Sequence, residues 1–183
     1  MRLLSYKILL VWLLVMASLL SNYAMASLRE DAIKSGFLYN FARYSEGRWF
    51  NPKLDNNYTI CSFDIQFVDV AIQTLKDRTI NGVPVVVHLL NSEFEDLSHC
   101  KTLFILKNDI NKWPALIENH ALLTTELMLV GEFEGFIASG GHINFFIVAG
   151  KVRFEVNTLR LKESGIGMSS KVLRLARKNK GGG

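Results

Sequence analysis

Two cysteines and four histidines are all that 183 residues contain, and His88, His99, His120 and His142 are scattered along the chain. No two histidines stand at metal-ligand spacing on one predicted helix. Each reads as a surface or strand-end residue. With the cysteines joined, a zinc site would need three or four ligands from histidines and acids, so no metal or other cofactor is expected. Also missing are the Ser elbow of α/β hydrolases and a phosphate loop with its Lys-Ser/Thr ending. Gly165-Ile166-Gly167 is the nearest approach to a nucleotide loop. It lacks the third glycine, follows no predicted strand and reads as a turn before the last helix. Glu132 and Glu134 flank Phe133 where nothing nearby is expected to drive their ionisations apart, so they read as solvated loop acids. There is no internal repeat, no low-complexity linker, and no basic patch interleaved with stacking aromatics, which removes nucleic acid from the expected partners. With no nucleophile and base to pair, binding rather than catalysis is the expected activity.

What is present begins with three zones over residues 1–26: basic Arg2 and Lys7, the apolar run Ile8 to Leu20, and a polar stretch ending Ala24-Met25-Ala26. That order has the form of a secretory signal peptide, with small residues at Ala24 and Ala26 suiting cleavage after Ala26. The apolar run is shorter than the roughly 20 residues of a membrane span; an uncleaved signal anchor is the alternative. The two basic residues leave with the signal, so Lys plus Arg falls from 21 to 19 against 17 acidic residues, and the formal charge from +4 to +2. The remaining chain fits one domain over 27–180, with 181–183 as a flexible tail. In an oxidising compartment an isolated cysteine pair is most simply a disulfide, here Cys61–Cys100; two buried free thiols are the alternative.

Ser27 and Glu30 form a capping-box pattern ahead of Ile33, Phe37, Phe41 and Tyr44 at helical spacing. Tyr58 to Phe63 reads as a strand, and Phe67 to Leu75 as a helix with Phe67, Val70, Ala71, Thr74 and Leu75 on one face. Asn81-Gly82 then turns the chain into Val83 to Leu90, an apolar run that suits a strand buried on both faces. Thr102 to Leu106 repeats that type, Trp113 to Glu118 reads as a short helix, and Ala121 to Thr125 begins another strand. The alternation predicts an α/β three-layer sandwich with a mostly parallel sheet. Ile143 to Val148 and Val152 to Val156, separated by Ala149-Gly150-Lys151, read instead as a C-terminal β-hairpin. Ser169-Ser170 caps a final helix with Val172, Leu175 and Ala176 inward and Lys171, Arg174 and Lys178 outward.

Five segments in order carry a family resemblance: Phe37-Leu38-Tyr39-Asn40-Phe41-Ala42 with Trp49, Gly82 before a buried strand, Gly140-Gly141-His142-Ile143-Asn144-Phe145, Val152-Arg153-Phe154-Glu155-Val156-Asn157, and Ser169-Ser170-Lys171-Val172-Leu173-Arg174-Leu175-Ala176. From about Asp31 to Arg177 the chain resembles the YfiR family of periplasmic proteins. The resemblance implies a Rossmann-like fold that self-associates into a homodimer. It also implies a repressor that binds the periplasmic sensor region of an inner-membrane diguanylate cyclase, lowering cyclic di-GMP and biofilm formation, and an outer-membrane regulator that sequesters the repressor. Cys61 and Cys100 match a disulfide of the family; a second cysteine pair is missing here, and His142 stands where methionine is commoner. Gly140 and Gly141 are expected to allow a positive φ or a close backbone approach. Phe145 and Phe154 are expected to pack on the two hairpin strands, with Asn144, Glu155 and Asn157 alternating outward to solvent or partner. Tyr39, Tyr44 and Phe146 are the aromatics expected at the partner surface. The competing expectation is a small-molecule sensor or carrier whose ligand sits at the carboxyl ends of the parallel strands.

Overall fold

The computed structural model describes residues 27–119 and 127–177, together with Trp12. The rest of the signal segment, the start of the strand read at Ala121 to Thr125, and the 181–183 tail lie outside the described residues. Helix α1 runs through 27–43 and buries Leu38, Phe41 and Ala42 at three- and four-residue spacing. Ser27 is already helical and accepts a hydrogen bond from Gln66 Nε2 (2.9 Å), while Glu30 pairs with Lys34, so the expected capping box does not form. Ile33 is 44% exposed, because the inward positions beside it are taken by Lys34 and Ser35.

The chain continues through β1 (Ser45–Gly47), β2 (Tyr58–Ser62), α2 (Ile65–Thr74), β3 (Thr79–Ile80), β4 (Val83–Leu89) and β5 (Thr102–Ile105). A 3-10 turn over Lys107–Lys112 leads into α3 (Trp113–Asn119), followed by β6 (Met128–Gly131), β7 (Ile143–Val148) and β8 (Lys151–Val156). Helix α4 (Thr158–Glu163), β9 (Ile166–Met168) and α5 (Ser170–Leu173) close the described chain. Seven strands form one sheet in the order β3-β4-β2-β5-β6-β7-β8. The five from β4 to β7 are parallel, while β3 and β8 run antiparallel at the edges.

Strand alternation sorts the core into two faces. Tyr58, Ile60, Phe104, Met128, Val130, Ile143 and Phe145 point to the face covered by α1 and α2. Cys61, Leu103, Ile105 and Leu129 point to the other, where Trp113 and Leu116 of α3 meet Phe133 and Phe136. Helices on both faces of a mostly parallel sheet make the three-layer α/β sandwich. Asp64 Oδ1 caps α2 by accepting from Phe67 N–H (2.8 Å).

Two strands depart from expectation. The apolar run of β4 is not buried on both faces, and Val86 is 40% exposed. It lies one strand from the edge, and the two-residue β3 covers only its first residues through an Asn81-Gly82 turn with both φ values positive. Gly165-Ile166-Gly167 is expected to be a turn; Ile166 and Gly167 instead belong to β9, which pairs antiparallel with β1. The β7–β8 turn uses two residues, Ala149 and Gly150, both at positive φ.

Candidate functional site

Helix α1 lays Phe37 and Phe41 across the β7–β8 hairpin, where Phe145 and Phe154 stand opposite each other in register. The Phe41 ring lies 4.8 Å from Phe154 and 5.7 Å from Phe145, and Phe37 lies 5.5 Å from Phe154. These offset and edge-on contacts make a rigid aromatic floor. The chain then returns over the floor's end. Asn157 Oδ1 caps α4 by accepting from Arg160 N–H (3.1 Å), and Gly165, at φ 69°, turns into β9. Beyond β9, Ser169 N–H donates to Tyr44 C=O (2.8 Å), and Ser169 Oγ accepts from Lys171 N–H (3.3 Å) to cap α5.

Between α1 and this returning segment lies a groove of about 260 Å³. Phe37, Phe41, Phe154 and Val172 form its apolar depth; Asn40, Tyr44, Lys171 and Leu175 form its rim. Leu175 was expected inside the last helix. It is 69% exposed, because α5 ends after one turn at Leu173; Val172 is buried and Ala176 is partly buried against the same core, as expected. Among the described residues lining the groove there is one cation and one phenol, with no carboxylate, thiol or imidazole. The arrangement suits capture of an apolar side chain better than acid–base chemistry.

Of the aromatics expected at a partner surface, only Tyr44 lines the groove. The Tyr39 hydroxyl donates to Thr79 C=O (3.2 Å) with Arg78 over its ring, and Phe146 is half-buried beneath the Arg177 guanidinium (4.0 Å). Sequence reading missed Asn40, Lys171 and Leu175 as rim residues. The available signal was the joint occurrence of the first and last motif segments, which the fold brings face to face.

The glycine motif divides its work. Gly140 takes φ 106°, and a Cβ on Gly141 would sit 2.2 Å from the Phe136 ring. The polar residues Asn144, Glu155 and Asn157 are held by hydrogen bonds and an ion pair within the fold rather than turned out to solvent. Asn144 is buried, accepts from Phe133 N–H (3.2 Å) and donates to Glu155 (3.4 Å). Glu155 in turn pairs with Arg177 (2.6 Å). His142, expected at a surface or strand end, is fully buried: its Nδ1 accepts from Leu129 N–H (3.0 Å), so Nε2 carries the proton and donates to Ser164 Oγ (2.9 Å). Burial, helped by the charge of Arg160, holds its pKa down to about 4.

Glu132 is not a solvated loop acid. It follows β6 directly and pairs with Lys34, which also binds Glu30 at 2.6 Å. Burial pushes the Glu132 carboxyl above its ordinary range despite Lys34. The same burial pulls Lys34 down, but Glu132 and Glu30 outweigh it and its pKa lies above that of a free lysine. The carboxyl end of β6, where a carrier protein would hold its ligand, is thus filled by α1's own lysine. On the sheet's opposite side Cys61 and Cys100 form a disulfide, Cα atoms 5.9 Å apart.

No helix among the described residues is long and apolar enough to cross a membrane. No curated protein matches the chain. Among solved structures, the crystal structure of the ABC domain in complex with L-Trp from Streptococcus pneumonia is similar at 13% identity and a TM-score of 0.45. That match covers 65% of this chain and 54% of the other, so the chain spans about half the length of that protein. The YfiR/HmsC-like family matches over residues 31–177, from the first turns of α1 to the last described residue. With the match spanning nearly all of the described fold, the chain belongs to the YfiR/HmsC-like family.

Proposed function

We propose that this chain is a periplasmic repressor that binds the periplasmic sensor region of an inner-membrane diguanylate cyclase through the α1–α5 groove. Binding would lower cyclic di-GMP and biofilm formation. The observation that carries the reading is that family membership over 31–177 coincides with a groove built from the first and last family motifs. The signal-peptide pattern of residues 1–26 and the disulfide support an oxidising compartment outside the cytoplasm. A homodimer, and an outer-membrane regulator that competes for the repressor, belong to the same proposal.

Repression needs tighter binding to the inactive cyclase than to the active one, since equal affinity shifts nothing. Holding activity near one part in a hundred takes about 2.7 kcal/mol of differential affinity from a balanced start. An apolar anchor of the partner entering between Phe41, Phe154 and Val172 could supply much of that, because one desolvated hot-spot side chain is worth about 2 kcal/mol or more. Deleting the gene should raise cellular cyclic di-GMP, with no rise when the partner cyclase is deleted too. Leu175→Asp, supplied in place of the wild type at equal periplasmic level, should reproduce the deletion. An unchanged nucleotide level in the single deletion, with the cyclase expressed, would overturn the reading.

A further inference from the structure

The disulfide has an imidazole beside both of its sulfurs. Cys61, on β2, and Cys100, just before β5, are buried, while His99 is exposed. His99 Nε2 lies 3.9 Å from Cys61 Sγ and 3.7 Å from Cys100 Sγ. All three donor atoms lie within 4.8 Å of one another. A tetrahedral zinc centre, with Zn–S about 2.3 Å and Zn–N about 2.0–2.1 Å, has S···N edges of about 3.6 Å and an S···S edge of about 3.8 Å. Two of the three edges therefore already stand near that length, and only the sulfurs have to part.

A second histidine stands beside these three groups. Parallel pairing places His88 of β4 directly beside Cys61, so the two side chains leave the same face of the sheet. The His88 ring centroid is 4.7 Å from that of His99, and its Nε2 lies 3.0 Å from Glu95 Oε1. With Nε2–H donating to that carboxylate, Nδ1 keeps the free lone pair, the arrangement in which an outer carboxylate fixes a metal-binding tautomer. The histidines open to solvent and the sulfurs form the buried wall, which gives an ion its path in.

We propose that reduction of the Cys61–Cys100 disulfide converts this corner into a Cys2His2 site for a zinc-type thiophilic cation, with Cys61, Cys100, His99 and His88 as ligands. A dithiol reductant delivers two electrons and two protons to the cystine and becomes a disulfide itself; the two thiols formed then lose their protons to solvent as the cation binds. Disulfide and metal exclude each other, so occupancy reports redox state. The site lies on the face opposite the groove and does not depend on the proposed partner.

The test uses the secreted protein reduced with a phosphine, freed of reductant under inert gas and titrated with Co(II). Thiolate-to-cobalt charge-transfer bands and the visible bands of a tetrahedral centre are expected, saturating at about one cobalt per chain and displaced by Zn(II). The oxidised protein should show none of these bands. His99→Ala, which keeps both cysteines and whose fold is checked in its oxidised form, should bind at least about tenfold more weakly. If reduction alone erases the far-UV circular dichroism, cobalt should restore it together with the bands. Absent bands, bands of equal strength in oxidised protein, undiminished affinity in His99→Ala, or an unfolded reduced chain that cobalt does not restore would each overturn the proposal.

Discussion

His142 has both ring nitrogens committed in the core, one accepting from Leu129 and the other donating to Ser164. Its folded pKa of about 4 lies below the ordinary value of 6.5. Between those two pH values the unfolded chain binds a proton that the folded chain refuses. Stability is therefore lost as the pH falls below about 6.5, by about 1.4 kcal/mol per unit, and the loss levels off below about 4. Asp31 and Glu132, raised by burial, act with the opposite sign, so the contribution of His142 is read as a difference. Urea unfolding at pH 7 and pH 5 should show the wild type losing about 2 kcal/mol more than His142→Gln, whose amide can make both hydrogen bonds without titrating. Equal pH dependence would mean that the ring is not held neutral. Two glycines offer a matched pair at the same scale. Gly141→Ala drives a methyl into the Phe136 ring and should cost about 1–3 kcal/mol, whereas Gly36→Ala, in α1 with nothing within 4 Å of the added atom, should gain about 0.5–1 kcal/mol. Thermal unfolding of both variants checks the sign of each.

Helix α1 is fixed by packing along Leu38, Phe41 and Ala42 and by the Lys34 ion pairs with Glu30 and Glu132. Lys34 is only 3% exposed, so Lys34→Met leaves a half-buried carboxylate without its cation and should cost about 3 kcal/mol. Pairing it with Glu132→Gln should recover most of that loss, and chemical denaturation of the single and double variants measures the coupling. The same helix shows what the sequence could disclose. Its apolar spacing announced the element and its inward Phe residues, and Glu30 four residues before Lys34 is a local pair, but burial of Lys34 and Ser35 also depends on Glu132, far along the chain, and on the backbone carbonyl of Asp31, which no local pattern reports. Polar alternation misled at Asn144 for a related reason: outward means solvent only where a sheet has an open face. The apolar run of β4 identified a strand correctly and its depth wrongly, since strand order decides which strands lie near an edge. The groove was legible only as two unconnected motifs. The β1–β9 pairing that joins them spans the whole domain and carries no signature in three-residue strands.

Across the whole molecule the sheet separates two properties that can fail independently. The groove lies on the face of α1 and α2; the disulfide ties β2 to the segment entering β5 on the face of α3. A link between positions 39 residues apart restricts the unfolded chain by about 4 kcal/mol in the entropic account, a large share of the roughly 5–15 kcal/mol typical of a domain. Replacing both cysteines, Cys61→Ala with Cys100→Ala, should therefore lower the urea midpoint. It should also raise the m value, because the uncrosslinked chain exposes more surface when it unfolds. Under conditions where this variant remains folded, the groove keeps its aromatic floor and cyclase repression should persist. Leu175→Asp should behave in the opposite way: at 69% exposure the side chain contributes little to folding, so the unfolding free energy stays within about 0.5 kcal/mol of the wild type while repression is lost. Measuring both variants by urea unfolding and by cellular cyclic di-GMP sets each property against the other. Loss of repression in a folded cysteine variant, or a repressing Leu175→Asp protein, would show that the binding surface is not confined to the groove.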